Sequence, residues 1–295
     1  MAASIVVTGA TGTIGRRVVE GLIAKKAPII ALLRNASKGA PLETIGARIA
    51  IGSFDDQASL VKAFTGADTL VLITAANARA DEQTMSAIAA AKTANVRKIV
   101  RISALKADPN GPTDNTRQHG RTEAALKASG LEYVILRPHL FLQNLLGSLP
   151  TILGEGKVYF GVGDGRMGMV DTRDVSDAAV VAATTDMHDG ATLELTGPAS
   201  IDYHAVASAI GRGLGREVSY VAVPPAAAGE AMRRFGADEW TVGVVRDYCT
   251  AYSSGWGDFT TDQVERVTGR APRSVDDFVR DVLAPAAAHQ RAATA

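Results

Sequence analysis

Two groups of residues in this sequence have the types and spacing to do chemistry. The first is Gly9-Ala10-Thr11-Gly12-Thr13-Ile14-Gly15, which follows the apolar run Ile5-Val6-Val7-Thr8 and precedes a helical pattern. Glycines at such a junction allow a tight turn and let backbone come close to a pyrophosphate. The amides of the turn and of the next helix, including those of Thr11, Thr13 and Ile14, then face the anion. The spacing is G-x-x-G-x-x-G rather than G-x-G-x-x-G, so the reading rests on the position of the loop. The second group is His119 and Glu123, four residues apart and therefore on one helix face. A histidine can give a proton or a hydrogen bond to a substrate oxygen, and Glu123 can orient it or be a plain surface neighbour. Ser103 ends an apolar run and can bind substrate or cap backbone.

A third feature chooses between dinucleotides. A ribose 2′-hydroxyl is usually held by an acid at the end of the second strand, whereas a 2′-phosphate needs a cation there. This chain reads Leu33-Arg34-Asn35-Ala36-Ser37-Lys38, with no acid before Glu43. Arg34 can stack on adenine and pair with the phosphate, and Lys38 can add a second charge. The expected cofactor is NADPH.

Positioning these groups requires a regular scaffold, and the chain supplies one. Apolar runs at residues 5–8, 29–33, 48–51, 69–73, 99–103 and 133–136 alternate with helical stretches at 14–24, 55–64, 81–93 and around 122–128. Continuous apolar strands between helices predict a parallel sheet covered on both faces, a doubly wound α/β fold of the Rossmann type. Beyond Pro138 a glycine-rich stretch, 154–168, breaks the rhythm, with one short strand at 158–160. A helix at 172–183 and a strand at 192–195 are placed to rejoin the sheet. From Asp202 the pattern is mostly helical, around a strand at 218–223 and helices near 226–235 and 238–254. The expected organisation is a nucleotide-binding domain over 1–153, rejoined by 170–196, a discontinuous substrate lobe over 154–285, and a frayed tail over 286–295.

Composition limits the alternatives. The 295 residues carry 31 Lys+Arg and 31 Asp+Glu, so no global field draws the chain to nucleic acid or an anionic membrane. Hydrophobic residues at 46% are enough to build a core. The single cysteine, Cys249, excludes an internal disulfide and reads as a small buried residue. His139 and His204 lack ligand spacing, and no metal is expected. With neither a signal-like start nor a long apolar run, the expected compartment is the cytoplasm. A homodimer is left open.

Together, residues 9–15, Leu33-Arg34-Asn35, Gly52-Ser53-Phe54-Asp55, His119-Gly120-Arg121-Thr122-Glu123, Leu136-Arg137-Pro138, Phe141, Asn144 and Val170-Asp171-Thr172-Arg173-Asp174 carry a resemblance. The chain resembles the NmrA-like atypical short-chain dehydrogenases/reductases, most closely quinone oxidoreductases and triphenylmethane-dye reductases. The resemblance implies that Ser53 and Phe54 approach the adenine and that Thr74, Ala75 and Asn77 line the cofactor. It also implies that Pro138 borders the nicotinamide, with His139, Phe141 and Asn144 at the substrate. Ser53 stands where relatives often have Asp.

The chain has no Tyr-x-x-x-Lys pair where typical short-chain dehydrogenases carry one. A quinone or other conjugated acceptor takes hydride without strong acid–base help, because the charge spreads over its oxygens and ring. Proximity and orientation then do most of the work. The expected activity is NADPH-dependent reduction of a quinone or related aromatic or conjugated carbonyl compound, an aromatic polyketide intermediate included. A non-catalytic NAD(P) sensor accounts for the missing tyrosine equally well, and an epimerase less so. Phe141, Phe160, Trp240, Tyr248, Tyr252 and Trp256 are candidate walls for a flat ligand.

Overall fold

The computed structural model describes residues 4–294. The elements run β1 Ser4–Val7, α1 Thr13–Ala24, β2 Ile29–Leu33, α2 Ala40–Thr44, β3 Arg48–Ile51, α3 Gln57–Phe64, β4 Ala67–Leu72, α4 Ala80–Thr93, β5 Lys98–Ile102, α5 Asp114–Lys127 and β6 Glu132–Pro138. The second half runs α6 Leu149–Glu155, β7 Lys157–Phe160, α7 Thr172–Thr184, β8 Thr192–Leu195, α8 Tyr203–Leu214, β9 Ser219–Ala222, α9 Pro225–Arg234, α10 Glu239–Ser253, α11 Gln263–Thr268, α12 Val275–Phe278 and α13 Ala284–Thr294.

Seven strands form one parallel sheet in the order β3-β2-β1-β4-β5-β6-β8. The chain winds outward from β1 to β3 and then restarts at β4 on the other side. The crevice between the C-terminal ends of β1 and β4 is therefore the place where such sheets bind ligands. Period-two alternation sends successive side chains to opposite faces. Ile5 and Val7 pack with Val18, Leu22, Val175 and Ala179 of α1 and α7. Val6 packs on the other face with Leu60, Phe64, Ile88 and Leu126 of α3, α4 and α5. Burying side chains of this size contributes roughly 1.5–3 kcal/mol each.

The same alternation directs two arginines. In β5, Val100 and Ile102 face the α1/α7 side while Ile99 faces α4 and α5, so Arg101 shares the face of Ile99. In β6, Leu136 faces α1/α7 and Ile135 faces α5, so Arg137 shares the face of Ile135. Both arginines point toward the layer that carries α5.

A separate core gathers Leu105, Leu142, Leu145, Ile152, Val158, Tyr203, Ile210, Cys249, Tyr252 and Phe278. The strands β7 and β9 pair in parallel as a small second sheet against it. Residues 142–153 pack here rather than with the first half, so the change of core falls just after β6. Two local expectations also need correction. The helix carrying His119 begins at Asp114, nucleated by a Thr113/Thr116 capping box, well before residue 122. Through residues 286–294 the chain is helical rather than frayed, because an alanine-rich segment has high propensity and Ala287 is buried against the second core; Ala295 lies outside the described residues. Among the described residues, no helix is long and apolar enough to cross a membrane.

Candidate active site

The loop after β1 is built for close approach. Gly9 has φ +60°, a conformation that favours glycine, and a Cβ at Gly15 would stand 2.2 Å from the Gly9 carbonyl oxygen. Thr8 ties the loop to the neighbouring strand, its hydroxyl donating to the Ile73 carbonyl at 2.9 Å and accepting from the Ile73 amide at 2.8 Å. The N-terminus of α1 has no side-chain cap and no acid in its first turn, which leaves its amides and positive dipole end for a ligand.

A cleft of about 330 Å³ opens over this loop, lined by Gly9, Gly12, Thr13, Ile14, Gly15, Ile73, Phe141, Gln143, Asn144, Leu146 and Thr172. It thus joins the glycine loop to Phe141 and Asn144. Gln143 and Thr172 were not anticipated. Gln143 donates to Asp171 at 2.8 Å and accepts from the Thr172 amide at 2.9 Å, fastening the segment after β6 to the start of α7. Asp171 caps that helix and pairs with Arg173. A second cavity of about 310 Å³ lies at the opposite edge of the sheet, near Lys26, Asp68, Arg97 and Thr185, away from every ligand-binding loop.

Arg34 and Lys38 are exposed at the C-terminal end of β2, and neither has a protein ion-pair partner among the described residues. Thr11 is exposed beside them. Ser53 and Phe54 follow β3; the Ser53 hydroxyl accepts from the Asp55 amide and Phe54 packs on the sheet core. After β4, Thr74 bonds Thr84 at 2.9 Å, and Asn77 is spent on its own loop through the Ala75 carbonyl, Gln83 and the Arg79 amide. These contacts shape the loop after β4 but leave the Asn77 side chain little to offer a ligand. Pro138 ends β6 inside the sheet, its carbonyl taken by the Leu105 amide at 3.1 Å.

The α5 group is more closely wired than its spacing suggested. The Ser103 hydroxyl donates to Glu123 Oε1 at 2.5 Å. Arg137 grips Glu123 through Nε at 2.9 Å and Nη2 at 2.6 Å, and holds Glu194 at 3.0 Å. Glu123 is 2% exposed, so it is no surface neighbour, and it reaches His119 only through Ser103. The Ser103 proton goes to Glu123 rather than toward a substrate. His119 Nδ1 lies 3.3 Å from both Ser103 Oγ and Arg101 Nη2. Its Nε2 makes no hydrogen bond among the described residues. Burial, then the charges of Arg101 and Arg137, push its pKa well below the ordinary value of 6.5.

His139 is different from its expected role. It is 2% exposed, Nδ1 accepts from the Leu140 amide at 2.7 Å, and Nε2 therefore donates to the Gly257 carbonyl at 3.0 Å. Burial lowers its pKa to about 4. With both nitrogens committed, it fastens Gly257 and has nothing left for a substrate. Tyr252 stacks on it at 5.6 Å, and Tyr248 and Trp256 complete that aromatic group. Phe160 stacks instead on Tyr203 within the second core. Burial also raises the Cys249 thiol to about 11, leaving it unreactive.

Arg101 was missed, although an arginine within Lys98-Ile99-Val100-Arg101-Ile102 is a visible anomaly in a buried strand. It is 2% exposed, and burial depresses it to about 10.

A doubly wound parallel sheet, a glycine cradle at an open helix N-terminus and a cleft at the strand switch point define a dinucleotide-binding protein. The profile of the NAD(P)H-binding family matches residues 9–186, and the chain belongs to that family; the NmrA-like resemblance fits the fold. It is 31% identical over 276 residues to the NAD(P)H azoreductase of Xenophilus azovorans, covering 94% of this chain and 96% of that one. The NADPH-dependent quinone oxidoreductase of Escherichia coli, solved with NADPH, superposes with a TM-score of 0.87 at 27% identity, covering 95% of this chain and 99% of that one. Citrobacter sp. triphenylmethane reductase superposes with a TM-score of 0.83 at 25% identity over the same shares. The protein is an NAD(P)H-dependent oxidoreductase.

Proposed function

We propose that this enzyme uses NADPH to reduce a quinone or a related aromatic or conjugated carbonyl compound. The observation that carries the cofactor preference is the unpaired Arg34 beside the glycine cradle, with Lys38 next to it and no acid at the end of β2. Bound NADPH supplies a hydride. The chain's own residues do the rest. Residues 9–15 and the α1 amides hold the pyrophosphate, and Arg34 and Lys38 hold the 2′-phosphate. Phe141 and Asn144 border the acceptor at the far wall of the cleft. On α5 the side chains of Asn115 and Gln118 also keep an unpartnered oxygen, but these are buried acceptors, and His119 Nε2 is the group we assign to meet an acceptor oxygen.

The acceptor class follows from what the site lacks. With Ser103 and Glu123 bound to each other and no tyrosine–lysine pair, strong proton transfer is not provided. An acceptor that delocalises the arriving charge needs orientation more than acid catalysis. Azo compounds, quinones and triphenylmethanes, the substrates in the relatives' names, are all conjugated, which supports the same class. Anaerobic NADPH oxidation with a panel of quinones and conjugated carbonyls, an aromatic polyketide among them, tests the proposal. Turnover is expected with the conjugated members and not with simple ketones. Tight NADPH binding without turnover on any of them would favour a sensor. Arg34→Ala should weaken NADPH about tenfold while leaving NADH almost unchanged; an equal effect on both would remove the NADPH assignment.

A further inference from the structure

Among the described residues, Arg101 is the charged group that contacts the His119 ring, and its arrangement has a chemical consequence. Its guanidinium leaves β5 toward α4 and α5, donating to the Leu72 carbonyl and to Thr84 Oγ1, with Nη2 also set against His119 Nδ1, all at 3.3 Å. These are long hydrogen bonds, and Nε has no partner. A buried arginine so thinly satisfied is costly.

Thr84 gives its own hydroxyl hydrogen to the Ala80 carbonyl at 2.7 Å, so it can accept from Arg101 and from Thr74. One guanidinium thus links the loop after β4, where the cofactor is expected, to the ring on α5. An arginine can only donate, and it stays charged. Toward Arg101, Nδ1 must be an acceptor. Ser103 Oγ lies at the same distance and, with its hydrogen given to Glu123, offers Nδ1 only an acceptor; an Nδ1–H toward it would confront the Arg101 N–H, so the charged donor decides the tautomer.

We propose that Arg101 is a positioning residue that fixes His119 as the neutral ring protonated on Nε2, so that His119 meets the acceptor as a hydrogen-bond donor and gives up no proton. This rests on the reading of His119 as the group that meets the acceptor. An acceptor that takes hydride with its electron pair gains one negative charge; the Nε2–H stabilises that charge, and water supplies the proton that neutralises it. The charged and titratable groups around the ring are Arg101 on β5, Glu123 on α5 acting through Ser103, and Arg137 on β6. Two cations against one carboxylate keep the ring neutral.

The test is a long-range ¹H–¹⁵N spectrum of the full chain without cofactor, with His119→Ala used for assignment. Wild-type His119 should show the Nε2-protonated neutral pattern throughout roughly pH 5 to 8. Arg101→Met should lose that single pattern, its His119 should titrate at a higher pH than in the wild type though still below the ordinary value because the burial remains, and its kcat/KM should depend on pH where the wild type is flat. Ser103→Ala should keep the wild-type pattern. Arg101→Lys, which retains a donor and a charge, should keep it too, and serves if the methionine variant does not fold. A wild-type ring that titrates in this range, or carries its proton on Nδ1, overturns the proposal, as does an Arg101→Met protein with unchanged spectrum. If the spectra are as expected but His119→Ala turns over normally, it is the substrate contact that fails and not the role of Arg101.

Discussion

His119 and His139 are both driven toward the neutral form by burial, yet they sit in opposite kinds of surroundings. Around His139 every polar atom is paired: Leu140 donates to one ring nitrogen, the other donates to Gly257, and Tyr252 covers the face. Around His119 the pairing stops short. Nδ1 is held at 3.3 Å, Nε2 is open, and the neighbouring Arg101 keeps an orphaned Nε. A closed histidine contributes to stability alone, whereas an open one, supported from behind, is equipped to touch something else. The difference lies in hydrogen-bond accounting, not in burial or in the direction of the pKa shift.

The comparison can be broken at several points. The largest effect is expected from Glu123→Ala, which leaves Arg137 and Ser103 without their shared carboxylate. Breaking such a buried pair costs about 3–5 kcal/mol, and urea unfolding would read it; a loss below 1 kcal/mol would mean that the network behind His119 carries little. Next comes pH. The folded pKa of His139 is about 4 against 6.5 ordinarily, so the unfolded chain binds more protons between these values. The stability this gives is complete above about pH 6.5 and is lost as pH falls toward 4, amounting to about 3 kcal/mol. His139→Gln should flatten that part of the pH–stability curve without abolishing turnover. A smaller effect belongs to Gly257→Ala, whose Cβ would lie 2.5 Å from the Tyr252 ring. Overpacking of this kind costs about 1–3 kcal/mol and should lower Tm while kcat at moderate temperature stays near normal.

Much of the scaffold was legible because it obeys local rules. The run Ile29–Leu33 is buried at every position and reads as a central parallel strand. The glycine loop was recognisable from its place between β1 and α1. The group around His119 was harder, since the pairing of Ser103 with Glu123 and of Arg137 with Glu123 joins residues 20 and 14 positions apart. Spacing could put His119 and Glu123 on one face, but could not show that Glu123 turns toward β6. The bond from His139 to Gly257, 118 positions away, could not be read from its neighbourhood in sequence to Phe141 and Asn144. Arg101 broke the apolar pattern of its strand, and that irregularity was the available clue.

Turnover by His119→Ala addresses the central claim most directly. Stopped-flow oxidation of NADPH by a quinone, alongside NADPH binding measured by calorimetry, separates the chemical step from cofactor affinity. Loss of a single preorganised donor should lower kcat about 10²-fold, with the NADPH Kd and the Tm close to wild type. A variant with unchanged kcat would contradict the account and make His119, like His139, a structural histidine.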